Sequence, residues 1–227
     1  MPSASIVSIF NLLSGVVALL VSYYAYRSNR LVGSNLLRYI SLGFLLLGLS
    51  LFLEAGTENL ARITPVDAVR VRGLELGAYL IYTALQFVAY LVIAWGYVLS
   101  TLRRPEGAAS AGPAPAAGAG PSLLAVLLTR TTVTAVFVFA IYLFSQLAVV
   151  ILLLVIVYHG VVVFSRTKSN VALMVLFGFA LIFAAHIVLF SSAVYTSEAL
   201  LLIGNTVQFC GFAALAFFLY WSGRVVR

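Results

Sequence analysis

The stretches "SNLLRYISLGF" (Ser34–Phe44) and "SNVALMVLFGF" (Ser169–Phe179) share their first two and last two residues, and their numbers differ by 135. Apolar segments resemble one another by chance, so the polar and small residues carry the comparison. At the same offset Gln146 falls on Asn11 and Tyr158 on Tyr23, with no gap. Further along, an offset of 122 places Leu202-Ile203 on Leu80-Ile81 and Gln208-Phe209 on Gln86-Phe87. Matches at consistent offsets predict a tandem repeat of a three-helix unit. The change of offset predicts a shorter connection between the second and third helices of the later copy. In each copy the repeated phrase opens the second helix: Ser and Asn are placed to cap its first N–H groups, and Gly43 and Gly178 sit where a missing side chain admits a neighbouring helix.

Composition says what solvent surrounds these helices. Hydrophobic residues make up 63% of the 227 and charged residues 8%, against roughly 25% charged in a soluble domain. A chain so poor in charge is expected in lipid, as an all-α polytopic membrane helix bundle, since hydrocarbon leaves no water to satisfy backbone groups outside a helix or closed barrel. The formal net charge is +7. The charges sit at the ends of apolar runs, so the basic excess points to topology and anionic headgroups, and no specific nucleic-acid binding is expected. The single cysteine, Cys210, excludes an intrachain disulfide. The N-terminus lacks the basic region and cleavage site of a secretory signal, so its apolar stretch reads as a retained span. Few Cys and Met residues fit a thermophilic prokaryote, an archaeon; the expected location is the cytoplasmic membrane.

A bilayer core of ~30 Å takes about 20 helical residues. Ala4–Tyr26, Leu36–Leu53 and Leu76–Leu102 meet that length, as do Ala172–Ala193 and Leu200–Trp221. The run Leu123–Phe164 is long enough for two. Basic residues follow the first helix (Arg27, Arg30, Arg38), its counterpart (Arg166, Lys168), the third helix (Arg103, Arg104) and the last one (Arg224, Arg227). The positive-inside rule places all four sites in the cytoplasm. Both copies then start outside, and the chain must cross once more between them. This predicts seven spans in a 3+1+3 plan, N-terminus out and C-terminus in, with a turn near Ser145. The expected units are residues 1–104 (first repeat), 105–121 (a flexible Pro/Gly/Ala linker in the cytoplasm), 122–143 (a linker helix) and 144–227 (second repeat). Six spans, with one very long helix, are the alternative.

Polar side chains in hydrocarbon need partners, and each is a functional candidate. Gln86 and Gln208 are related by the repeat and lie near mid-helix. Asn11 and Gln146 form a second related pair nearer the outer face. Thr83 and Asn205 lie one turn outward of the glutamines. Together they predict a polar stripe that lines a pathway or bonds the helices together. His186 and Glu54 are candidates for proton or ion sensing. His159 and His186 differ in depth by roughly 14 Å at 1.5 Å per residue, so they are not expected to ligate one haem. There is no Cys/His cluster of metal spacing, no nucleophile–base set and no phosphate loop. No cofactor, metal or enzymatic activity is expected.

The 3+1+3 plan is similar to that of SWEET sugar transporters and of microbial rhodopsins. The first resemblance implies passage of a small solute between two three-helix halves. Here, however, Leu85 and Val207 precede Gln86 and Gln208 in place of that family's proline. The second is confined to topology, because a retinal Schiff base needs a lysine in the last helix and the sole lysine, Lys168, lies in a loop. "YAYRSNR" followed by "LGFLLLGLSLFLEA" also resembles short archaeal membrane proteins built of three-helix units. Two functions follow as expectations: translocation of a small solute or ion between the repeats, or a non-catalytic anchor, sensor or channel subunit of a larger complex, one that moves macromolecules for instance. The expected partners are the lipid bilayer, a solute or ion, and a protein partner or second copy.

Overall fold

The computed structural model of the chain describes residues 2–63, 68–102 and 131–225. The described residues form six α-helices: α1 (Pro2–Val32), α2 (Asn35–Ile63), α3 (Ala68–Leu102), α4 (Thr131–Thr167), α5 (Asn170–Tyr195) and α6 (Glu198–Val225). Each contains a stretch long and apolar enough to cross a bilayer. The chain is therefore a multi-pass integral membrane protein. Its outward-facing Leu45, Leu49, Trp95, Leu154 and Phe217 are what a lipid-facing surface requires.

Each helix packs against its two neighbours in sequence, and α6 packs back on α1, so the six close a ring. Short turns make α1–α2 and α4–α5 antiparallel; Gly33, at φ 68°, and Lys168, at φ 47°, turn the chain in the left-handed region. Ser22 and Ser41 clasp α1 to α2: each hydroxyl donates to the other's backbone carbonyl, at 2.8 and 3.0 Å. Helices α1 and α6 run in the same direction, with Phe10 beside Phe209 and Tyr24 beside Tyr220. So do α3 and α4. Near the C-terminal end of both, Thr101 Oγ1 lies 3.0 Å from His159 Nδ1, and Arg166 donates to the Thr101 carbonyl. Leu102 and Thr131 thus lie at opposite ends of the ring.

The expected turn near Ser145 is absent, and α4 is one unbroken helix from Thr131 to Thr167. No Gly or Pro interrupts it between Thr131 and His159, and a break in hydrocarbon would strand backbone N–H and C=O groups. The boundary drawn between residues 143 and 144 therefore falls inside a helix. The linker 105–121 and the start of the linker helix, 122–130, lie outside the described residues. The expected cap also differs. Ser169 holds the N-cap position of α5, but its side chain makes no cap hydrogen bond.

The middle of the ring interior is filled by aromatic side chains. Phe44 of α2 meets Phe179 of α5 with centroids 6.0 Å apart, Phe212 of α6 stands edge-on to Phe44 at 5.8 Å, and Tyr97 of α3 stands edge-on to Phe179 at 5.7 Å. The glycine before each central Phe works as expected. A Cβ on Gly43 would collide with Ile93 and lie 2.9 Å from the Ala89 carbonyl oxygen; one on Gly178 would lie 2.5 Å from Leu215 and 3.5 Å from the Gly211 carbonyl oxygen. These neighbours correspond at the 122 offset. Burial corresponds too: Gln146, Val149, Leu153, Ile156 and Gly160 are buried in α4, and Asn11, Ser14, Ala18, Val21 and Ala25, their partners at the 135 offset, are buried in α1.

Gly43→Val and Gly178→Val are each expected to destabilise the bundle by about 1–3 kcal/mol, the usual cost of overpacking, read from unfolding in mixed micelles. Gly56→Ala is the contrast: nothing lies near its Cβ position, and in a helix Ala gains about 0.5–1 kcal/mol over Gly. Equal losses at all three positions would show that the contacts at Gly43 and Gly178 carry no special weight.

Candidate functional site

On α3, Tyr82, Gln86 and Tyr90 recur at every fourth residue, which lines them along one stripe of the helix. That stripe faces the ring axis: Gln86 and Tyr90 are buried and Tyr82 is half-buried. On α5, Ile182, Ala185, His186 and Leu189 form the buried face. This places an imidazole at the axis, one to two turns beyond the Phe44–Phe179 pair.

There the interior changes from aromatic to polar. A cavity of about 50 Å³ receives side chains from all six helices: Asn11 from α1, Glu54 from α2, Tyr82 and Gln86 from α3, Gln146 from α4, His186 from α5, and Asn205 and Gln208 from α6. Leu51, Leu189, Leu201 and Val7 complete its wall. Seven of the eight residues singled out in the sequence meet here. The eighth, Thr83, is half-buried and does not line the cavity; Tyr82, one residue earlier, takes its place. Glu54 lies within the span Asn35–Thr57 and lines the cavity.

His186 is fully buried and engaged at both ring nitrogens. The Tyr90 hydroxyl lies 2.9 Å from Nε2, and Gln146 Oε1 lies 3.2 Å from Nδ1. A carbonyl oxygen only accepts, so Nδ1 carries the hydrogen and donates to Gln146, and Nε2 accepts from Tyr90. The tautomer follows from this polar chain Tyr90–His186–Gln146, which ties α3, α5 and α4 together. Tyr90 was missed in the sequence, although its place four residues after Gln86 is the signal that finds it.

Other donors at the cavity are unmatched. Asn11 Nδ2 and Gln208 Nε2 are buried without a hydrogen-bond partner, and their residues are only 3% and 4% exposed. Burying an amide without a partner is costly, so both amides require an acceptor. Asn205 instead donates to the Leu201 carbonyl of its own helix, at 2.8 Å. His159, bonded to Thr101, lies at the other end of the ring, so the two histidines are apart as expected. Among the described residues no group of His, Cys, Asp and Glu has the arrangement of a metal site.

Tyr90→Phe and Gln146→Leu should each cost about 0.6 kcal/mol, with a ceiling near 1.7, the range of interhelical hydrogen bonds in a membrane. Because both act on His186, the double variant should cost measurably less or more than the two single losses added. Strict additivity in the unfolding free energies would show that the three side chains do not act as a unit. Compared with known protein families, with curated proteins and with solved structures, the chain matches none.

Proposed function

We propose that the chain is a tandem repeat of two three-helix units, related by a pseudo-twofold axis along the bilayer normal, and that it translocates a small solute or ion along that axis. The observation that carries the reading is the convergence of polar side chains from all six helices on one cavity at the axis. Residues that serve only to bond helices in pairs have no need to converge. Repeat-built transporters place their sites at such an interface. The equivalent contacts of Gly43 and Gly178 and the equivalent burial in α1 and α4 support the repeat. The aromatic cluster of Phe44, Phe179, Phe212 and Tyr97 would then close the path between this cavity and a larger one, of about 410 Å³, at the basic end.

In this reading the N-terminus is outside and the C-terminus inside. The connections that hold Arg27, Arg30, Arg38, Arg166 and Lys168 share one end of the ring, which the positive-inside rule assigns to the cytoplasm. Parallel α3 and α4 put Leu102 and Thr131 at opposite ends of the ring, Leu102 at the cytoplasmic one. With Cys210 replaced by Ser, a cysteine at Thr196 or Thr131 should react with an impermeant reagent from outside, and one at Ala109 or Lys168 should not. Labelling of Ala109 and Thr131 from the same side would overturn this assignment.

Transport is tested by flux. In proteoliposomes exposed to iso-osmotic solutes of graded size and charge, the native protein should accelerate swelling for a subset of them. Gln86→Leu and Gln208→Leu should abolish that gain and leave the fold intact, since Leu is a good helix former and suits an apolar surrounding. Swelling indistinguishable from empty liposomes, or unchanged in both variants, would favour a non-catalytic membrane subunit whose polar core only fixes its packing.

A further inference from the structure

The larger cavity differs in kind from the polar one. It lies at the basic end, with Ile40, Tyr97, Val175 and Leu219 around its floor and Ser34 and Ser169 at its rim. These pair at the two offsets: Ile40 with Val175 and Ser34 with Ser169 at 135, Tyr97 with Leu219 at 122. The cavity is therefore axial, opening to one end of the ring. Its wall is apolar apart from hydroxyls. Its volume of about 410 Å³ falls in the lower part of the ~300–1,000 Å³ range of small-molecule pockets, which suits one apolar chain better than two.

Charge specifies the head of the occupant. Around the α1–α2 turn stand Arg27 and Arg30 at the end of α1 and Arg38 at the start of α2, and around the α4–α5 turn stand Arg166 and Lys168, all exposed. Rim residues Ser34 and Ser169 belong to these same turns. Arg30 stacks over Tyr26 at 5.1 Å and Arg166 donates to Thr101; none of the five cations lines the cavity, but each is next in the chain to a residue that does, among them Ser28, Leu31, Leu37, Thr167 and Ser169. Within the described helices the carboxylate residues Glu54, Glu58, Glu75 and Glu198 all belong to the opposite half of the ring. An apolar slot rimmed by hydroxyls, with cations next in the chain to its lining residues and no described carboxylate beside it, complements an anionic amphiphile. An uncharged hydrophobe would leave the rim unused, and a polar solute would leave the wall unused.

We propose that this cavity binds a long single-chain amphiphile with an anionic head, of the fatty-acid class, with its chain against Ile40, Val175 and Leu219 and its carboxylate among the cations of the two connections. The site does not depend on transport, because binding alone tests it. The full chain is placed in nanodiscs of zwitterionic lipid and titrated with stearic acid spin-labelled near its methyl end. The expected result is an immobilised spectral component that saturates at one label per protein. The methyl ester of the same label should bind about tenfold more weakly, the order expected when one or two Lys or Arg lose an anionic partner near a membrane surface.

Val175→Trp, which fills the floor, should remove the saturable component. Arg38→Gln combined with Lys168→Gln should bring the acid down to the affinity of the ester and leave the ester unchanged. This second variant decides the matter if the first fails to fold. A component that grows without saturation, persists in a folded Val175→Trp protein, or ignores the charge of the head would mean that the label reports surrounding lipid only, and would overturn the site.

Discussion

The packing of Phe44 against Phe179 on the ring axis is the contact on which the rest of the bundle depends. Six helices in a ring leave a hole unless something fills it, and in hydrocarbon no hydrophobic drive between helices closes it. Here each large ring is preceded by a glycine. The glycine brings the next helix, α3 or α6, close on one side, and the ring fills the axis on the other. Gly43 meets Ala89 and Ile93 while Phe44 reaches across to Phe212. The adjacent residues thus set helix spacing and central filling together. Because the rings occupy only the middle of the axis, the space beyond them on either side is left to other chemistry: polar toward His186, apolar toward the basic connections.

Helix direction follows the same logic. Parallel α3 and α4, and parallel α1 and α6, bring corresponding residues of the two halves to the same depth. Asn11, Gln146, Gln86 and Gln208 therefore converge at one level of the axis. Antiparallel neighbours at these two seams would have sent them to opposite ends, each facing lipid or a lone partner helix. The convergence and the cavity are consequences of direction as much as of residue choice.

The sequence made the membrane character, the helices and most of the cavity legible for one reason: a polar residue in an apolar run is rare and costly, so its position carries information. Asn11, Gln86, Gln146, His186, Asn205 and Gln208 were each visible as such exceptions. Helix phase was less visible. Thr83 and Tyr82 lie three and four residues before Gln86, and both spacings project to nearly the same stripe; only the packed rotation of α3 decides that Tyr82 faces the cavity. The turn expected near Ser145 came from counting crossings, which weighs charge and length but not continuity. Ser145 and Gln146 are polar without being helix breakers, and α4 passes through them. The large cavity was not legible, because it is bounded by Ile, Val and Leu residues that differ in no way from those of a filled core.

The offsets also explain why the polar cavity is only half satisfied. Gln146 bonds His186, and His186 accepts from Tyr90. At 135 and 122 residues earlier, the corresponding positions to Gln146, His186 and Phe212 hold Asn11, Leu51 and Phe212's counterpart Tyr90. Leu51 stands where the other half has its imidazole, and Phe212 stands where the other half has its phenol. Leu51, which offers no acceptor, lines the cavity with Asn11, whose Nδ2 is left without a partner. Hydrogen-bonding capacity is thus concentrated on one side of the axis and lacking on the other. Asn11 on α1 and Gln208 on α6, helices that pack side by side, hold the two buried unpartnered amides. Whatever acceptor enters this cavity is drawn to the α1–α6 seam, while the Tyr90–His186–Gln146 chain holds the opposite wall in place.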